Sequence, residues 1–290
     1  MKVSLLPDVE PGSGPRRVAI GTFDGVHLGH REVIRGADTV LTFDPHPLSV
    51  IHPEATPKLI STFDVKRDLI AGLGVEELVV IPFDRGFSSQ TAEEFVTEVL
   101  IDRLGAEQVS VGENFRFGKA TQGTPEFLRE HGDFETRVVP LVEAAGETIS
   151  SSHIRGLVAA GEVAAAAEFL GGPFLFEGEV VAGDRRGREL GIPTANLVPD
   201  DAYVVPGHGV YAAWAHGYPA AVNVGVRPTF QTGRGLLVEA HLIGFDDDIY
   251  GETLRIAFVE RLRGEKRFES VEELVAQMGD DVEQTRKIVA

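Results

Sequence analysis

The sequence predicts an α/β protein of two domains, a parallel sheet wound with helices and then a small antiparallel barrel with a C-terminal helix. Three observations carry that reading. Short apolar runs alternate with helical patterns over the first half, as in a parallel sheet with crossover helices. After Gly171-Gly172-Pro173 the texture changes to alternating strands between Gly and Pro turns, which suits a small antiparallel barrel. A chain of 290 residues with 43% apolar content is long enough for two ordinary cores.

In chain order, apolar runs at 18–20, 40–43, 78–81, 109–112 and 134–139 read as the strands of the first domain, with a helix over 30–37 behind the first. Thr91 and Glu94 have capping-box spacing and open a helix to Leu104, with Phe95, Val96, Val99 and Leu100 on its apolar face. Thr124 followed by Pro125 starts another. An alanine-rich helix spans 152–170 with an interruption at Gly161, and the boundary falls between a domain at 1–172 and one at 173–290. Strands are expected at 176–182, 209–215, 221–224, 236–243 and 253–261. Ser270 and Glu273 form a second capping box for a last helix with Leu274, Val275, Met278 and Val282 on one face.

Composition excludes several functions. A net charge of -18 argues against a broad nucleic-acid surface, which needs many Lys and Arg contacts. Small anionic substrates need only a local positive field. The absence of cysteine excludes disulfides, thiolate metal sites and cysteine nucleophiles. No run of eighteen apolar residues and no leader pattern is visible, so a soluble cytoplasmic protein without a membrane partner is expected.

The chemistry-bearing stretch of the first domain is Gly21 to His30, directly behind the first strand. Its glycines at 21, 25 and 29 permit a tight turn. His27 and His30, three residues apart at a helix start, share a face and can donate to oxygens on one ligand, with Gly29 keeping that face clear. Free amides of the helix start are expected to face the same turn. Further along come Thr42 to Pro47 with Asp44 and His46, Gly112 to Gly118 with Asn114, and Ile149 to Arg155 with Ser151, Ser152 and Arg155. In isolation Asp44 and His46 read equally well as turn formers, whereas Asn114 reads more readily as a turn residue and the serines more readily as a helix cap. The second domain carries a glycine loop, Gly183 to Gly191 with Gly187 and Arg188, running into Pro193-Thr194-Ala195-Asn196. Strand alternation sets Glu239 and His241 opposite Val238, Ala240 and Leu242, which suits two solvent-facing residues as well as a site.

Taken together, these strings resemble the bacterial bifunctional riboflavin kinase/FMN adenylyltransferase (FAD synthetase) family over about residues 17–289. The resemblance implies a Rossmann-like nucleotidylyltransferase domain followed by a riboflavin kinase barrel. It implies phosphorylation of riboflavin to FMN and adenylylation of FMN to FAD, with ATP, riboflavin and FMN as small-molecule partners and Mg²⁺ accompanying ATP. His27 and His30 would stabilise the transition state of adenylyl transfer, with Gly21, Phe23, Asp24, Gly29, Asn114, Ser151, Ser152 and Arg155 around the nucleotide and flavin. In the barrel, Glu239 would be the general base. Gly183, Gly187, Arg188, Gly191, Pro193, Ala195, Asn223 and Arg286 would bind ligand, and Thr194 and Asn196 would offer neutral oxygens to Mg²⁺.

Two departures from the family pattern fall in the first domain: Thr148 stands where a basic residue is frequent, and the connection from His30 to Val40 is short. They keep two alternatives open, a kinase with a weak or inactive adenylyltransferase domain and a non-catalytic flavin-binding regulator. Oligomeric state is left open, self-association included.

Overall fold

Six strands, β1 (Lys2–Leu5), β2 (Arg16–Ile20), β3 (Thr39–Asp44), β4 (Glu77–Pro82), β5 (Ala106–Gly112) and β6 (Glu135–Val139), make one sheet in the order β1-β4-β3-β2-β5-β6. Every pairing in it is parallel. The reason is visible in the alternation: Val18, Ile20, Leu41, Phe43, Val79 and Ile81 feed a core on one face, while Ala19, Val40, Leu78 and Val80 feed a second core on the other. A sheet buried on both faces needs helices on both. The computed structural model describes residues 1–144, 146–182, 192–226 and 235–289.

Strand order reverses between β2 and β5, because the chain leaves β2 towards β3 and β4 and returns to place β5 on the other side. In open α/β sheets such a switch point leaves a crevice at the carboxyl ends of the strands. The turn after β2 and the turn after β5 both open there. A two-stranded ribbon, β7 (Glu143–Ala144) with β8 (Glu147–Thr148), follows β6.

Local details differ from the sequence reading in informative ways. The helix expected over 30–37 is Leu28–Ile34, because Arg35 leaves the helical region and Gly36 turns with φ +81°. The capping box of Thr91 and Glu94 is formed, but Phe95–Arg103 is π-helical, closing with Leu104 N–H donating to Val99 O at 3.0 Å. The apolar face expected for an α-helix is kept: Phe95, Val96, Val99 and Leu100 are all buried.

In the second half, β9 (Phe174–Val181), β10 (Ala195–Leu197), β11 (Gly209–Ala215), β12 (Tyr218–Val226), β13 (Leu236–Leu242) and β14 (Thr253–Arg263) close a barrel in the order β10-β13-β12-β11-β14-β9. All its pairings are antiparallel. The alanine-rich segment forms two helices, Ser151–Ala160 and Val163–Leu170, broken at Gly161. Gly161 has φ +84°, and a Cβ there would stand 2.6 Å from the Tyr211 hydroxyl, so no other residue fits without movement. The C-terminal helix, Val271–Ile288, packs on β11, β12 and β14.

Two compact units result: Met1–Pro57 with Phe63–Ser150, and Lys58–Thr62 with Ser151–Ala290. The sequence texture changes at 172/173, whereas the units divide at 150/151, because Val163–Leu170 packs on β9 and β14. Lys58–Thr62 joins the second unit through the backbone: Leu59 N–H donates to Ala202 O at 2.8 Å and Val204 N–H donates to Leu59 O at 2.9 Å.

Candidate active sites

At the end of β2 the chain turns sharply, with Phe23, Gly25 and Val26 at φ 51°, 82° and 43°. Gly21 makes the first bend possible: a Cβ there would stand 3.0 Å from the Phe23 ring. Phe23 is thereby folded into the core, edge-on to the His30 ring at 5.4 Å. Asp24 is buried in the same turn. His27 caps the helix Leu28–Ile34, its Nδ1 accepting the His30 N–H at 3.2 Å. One of the amides expected to be free for a ligand is therefore used within the turn. The two imidazoles stack, centroids 3.5 Å apart and planes within 13°. Gly29 leaves room for this arrangement, since a Cβ there would lie 3.3 Å from the His27 ring.

The electrostatics favour a neutral His30. Burial, then the charges of His27 and Lys66, hold His30 well below the ordinary imidazole range, and desolvation penalises the charged form of any buried base. With Nδ1 of His27 already an acceptor, its Nε2 carries the ring proton in the neutral form. Lys66 belongs to none of the strings read from the sequence. Its only signal there is a lysine in the apolar stripe Phe63–Lys66–Ile70 of the helix Phe63–Ala71.

Asp44 ends β3 and His46 caps the short helix Pro47–Ile51. Asn114 lies exposed in the turn after β5, its Oδ1 folded back to 3.3 Å from where a Gly112 Cβ would stand. The strand order sets these turns along the same sheet edge as the histidines. Ser151 and Ser152 open the helix Ser151–Ala160, where Arg155 Nη1 donates to Ser152 Oγ at 3.3 Å, and that helix belongs to the second unit.

In the barrel the register does the assembling. Glu239 of β13 stands opposite Asn196 of β10 on one side and opposite Asn223 of β12 on the other. Directly opposed residues on neighbouring strands share a face, so one row carries Asn196, Glu239 and Asn223. Asn223 Nδ2 donates to Glu239 Oε2 at 3.3 Å. The alternation expected of β13 holds, with Val238, Ala240 and Leu242 buried.

This row lines a cavity of about 820 Å³ together with Pro193, Thr194 and Ala195. The C-terminal helix walls it with Leu274, Met278 and Val282, and Asp246 to Asp248 and Tyr250 lie on its rim. His241 Nδ1 donates to Pro193 O at 2.8 Å, fixing the start of β10. The apolar face read for that helix is interrupted by Asp281, which is buried and holds Arg263 through Nη2 at 2.7 Å and Nε at 3.0 Å. Arg286 is exposed and is not among the lining residues. Gly183, Gly187, Arg188 and Gly191 lie outside the described residues.

Comparison with known proteins follows the same division. The family model described as FAD synthetase matches residues 11–153, and the one described as riboflavin kinase matches residues 170–289. A Listeria monocytogenes protein named bifunctional riboflavin kinase/FMN adenylyltransferase is 35% identical over 290 residues, 94% of this chain and 92% of the relative. One of the same name from Bacillus subtilis is 36% identical over 284 residues, covering 91% and 89%. The crystal structure of a protein from Streptococcus pneumoniae named a macrolide-efflux protein matches with a TM-score of 0.86 at 34% identity, covering 99% of each chain. In this chain no described helix is long and apolar enough to cross a membrane. With both family models matching in order, and named relatives alike over more than nine-tenths of its length, the chain belongs to the bifunctional riboflavin kinase/FMN adenylyltransferase family.

Proposed function

We propose that this protein phosphorylates riboflavin to FMN in its barrel and adenylylates FMN to FAD at its parallel sheet, the catalytic domains being 1–172 for the second step and 173–290 for the first. What supports the reading is that each unit carries its own reactive constellation, the stacked His27/His30 pair in one and the Asn196–Glu239–Asn223 row in the other. The kinase-only and regulatory alternatives lose their ground, since the FAD synthetase model extends through the departures at the short crossover and Thr148.

In the barrel, the ribityl 5′-hydroxyl oxygen of riboflavin attacks the γ-phosphorus of ATP, its proton passes to the Glu239 carboxylate, and ADP leaves. Asn223 orients that carboxylate through its amide. The cavity between barrel and C-terminal helix excludes water around the flavin, with Leu274 and Met278 as its apolar wall. Asn196 is nearly buried, and its Oδ1 has no hydrogen-bond partner among the described residues. A buried acceptor left open beside Thr194 fits a hard cation. Thr194 and Asn196 would hold Mg²⁺, which when bound offsets the charge of the ATP phosphates.

At the sheet edge, an FMN phosphate oxygen attacks the α-phosphorus of ATP and pyrophosphate leaves. His27 and His30 supply N–H donors to oxygens that gain charge in the transition state. Their stacking sets them before substrate arrives, so little reorganisation is needed. The protein works in the cytoplasm on free ATP and flavins. Incubating it with riboflavin, ATP and Mg²⁺ and following both products over time tests the reading: FMN should appear first and FAD after it, and FMN without FAD would overturn the second activity.

A further inference from the structure

Lys66 is a largely buried ammonium that the chemistry above does not use. It sits on the face of its helix between Phe63 and Ile70, neighbours that pack with Ala19, Phe23, Val40 and Val80 against the sheet. Its Nζ donates to Thr22 O at 3.3 Å and to Thr42 Oγ1 at 3.5 Å. Thr42 Oγ1 in turn donates to Thr22 O at 3.2 Å. The three groups close a triangle between the end of β3 and the first turn after β2, the turn that ends at His27.

Burying an ammonium is costly unless something holds its charge. Asp44, at the end of β3, and Asp24, in the turn, favour the charged form, against a burial that pulls Lys66 below the ordinary lysine range. Its acceptors among the described residues are both neutral oxygens, so its charge is not cancelled by a close ion pair. That charge reaches His30. The charged and titratable groups acting on this pair are thus His27 and Asp24 from the turn, Asp44 from β3 and Lys66 from the helix Phe63–Ala71.

We propose that Lys66 is a positioning residue for adenylyl transfer: its ammonium ties the turn carrying the histidines to the end of β3 and keeps the surroundings of His27 and His30 positive enough to receive phosphates. The proposal rests on the adenylyltransferase reading of this site. Two anionic substrates must meet beside Asp24 and Asp44, and the Lys66 charge, which acts on both carboxylates, lowers that repulsion. A neutral side chain of the same length would fill the space and do neither.

The test uses the full-length protein with Lys66→Met and Lys66→Arg, with Lys66→Gln in reserve should the methionine variant fail to fold. Three quantities are measured: FAD formation from FMN and ATP, FMN formation from riboflavin, and titration of the His30 imidazole followed by NMR. Lys66→Met should lower kcat for FAD formation by about tenfold to a hundredfold, the scale of a misplaced catalytic group, with FMN formation within twofold of the parent. His30 should titrate at higher pH in that variant, because a neighbouring positive charge has been removed. Lys66→Arg should keep the His30 titration in place and recover most of the rate. The proposal is overturned if Lys66→Met keeps full FAD formation, or if both variants lose it equally while His30 titrates as in the parent. A parent that makes no FAD would overturn the functional reading instead, and the His30 titration alone then decides whether Lys66 is coupled to the pair.

Discussion

In the parallel-sheet unit the reactive groups come from one turn, Gly21 to His30, whereas in the barrel they come from three strands and a helix reaching from Pro193 to Val282. The difference follows from topology. A parallel sheet presents the turns at its strand ends as ready-made crevices, so neighbours in sequence become neighbours in the site. An antiparallel barrel presents rows across strands, so Asn196, Glu239 and Asn223 meet only through register. The first site holds a histidine that burial keeps well below the ordinary imidazole range. The second is a wide cavity that has to admit a ring system.

If the sites are as independent as this contrast requires, single substitutions should separate them. Glu239→Ala should have the largest effect, lowering FMN formation by about a thousandfold, within the usual range for a general base, while FAD formation from added FMN stays within twofold. His30→Ala should lower FAD formation by about a hundredfold or more, as loss of a transition-state donor does, and leave FMN formation intact. Product-resolved chromatography reads both. Asp281→Ala leaves Arg263 without its buried partner and should cost the second unit about 3 kcal/mol, seen as a lower denaturation midpoint with the first unit unaffected. Asn196→Ala should raise the Mg²⁺ concentration needed for half-maximal FMN formation by about tenfold, the lower end for disturbing a metal's surroundings.

The smallest expected effect concerns pH. Because His30 is held neutral in the folded chain, the unfolded chain takes up its proton first as pH falls. Stability of the first unit should therefore be complete above the ordinary imidazole value of about 6.5 and decline below it, down to the depressed value of the folded state. His30→Gln should flatten that decline in denaturant titrations between pH 7 and 5, and an unchanged slope would count against a buried neutral histidine.

The same contrast governs what the sequence reveals. Strands alternating between two cores, the caps at Thr91, Thr124 and Ser270, and the service of Gly29 to His27 depend on neighbours within a few residues, and all are legible in the order of residues alone. Edge strand β1 is not, because Lys2–Leu5 has no buried face and is defined by pairing with distant β4. Nor is β10, three residues long and fixed between β9 and β13. Lys66 escapes a sequence reading because a lysine in an apolar stripe gains meaning only when the ends of β2 and β3 are brought beneath it. The buried Asp281 escapes likewise, since its partner Arg263 lies on another element.

Mixing the two single-site variants tests the central claim most directly. Neither Glu239→Ala nor His30→Ala should convert riboflavin to FAD alone. Combined with ATP and Mg²⁺, they should restore FAD formation, because FMN made by the intact barrel of one is adenylylated by the intact sheet site of the other. A mixture that makes no FAD, while His30→Ala alone still makes FMN and Glu239→Ala alone still adenylylates added FMN, would contradict two independent sites exchanging a free intermediate.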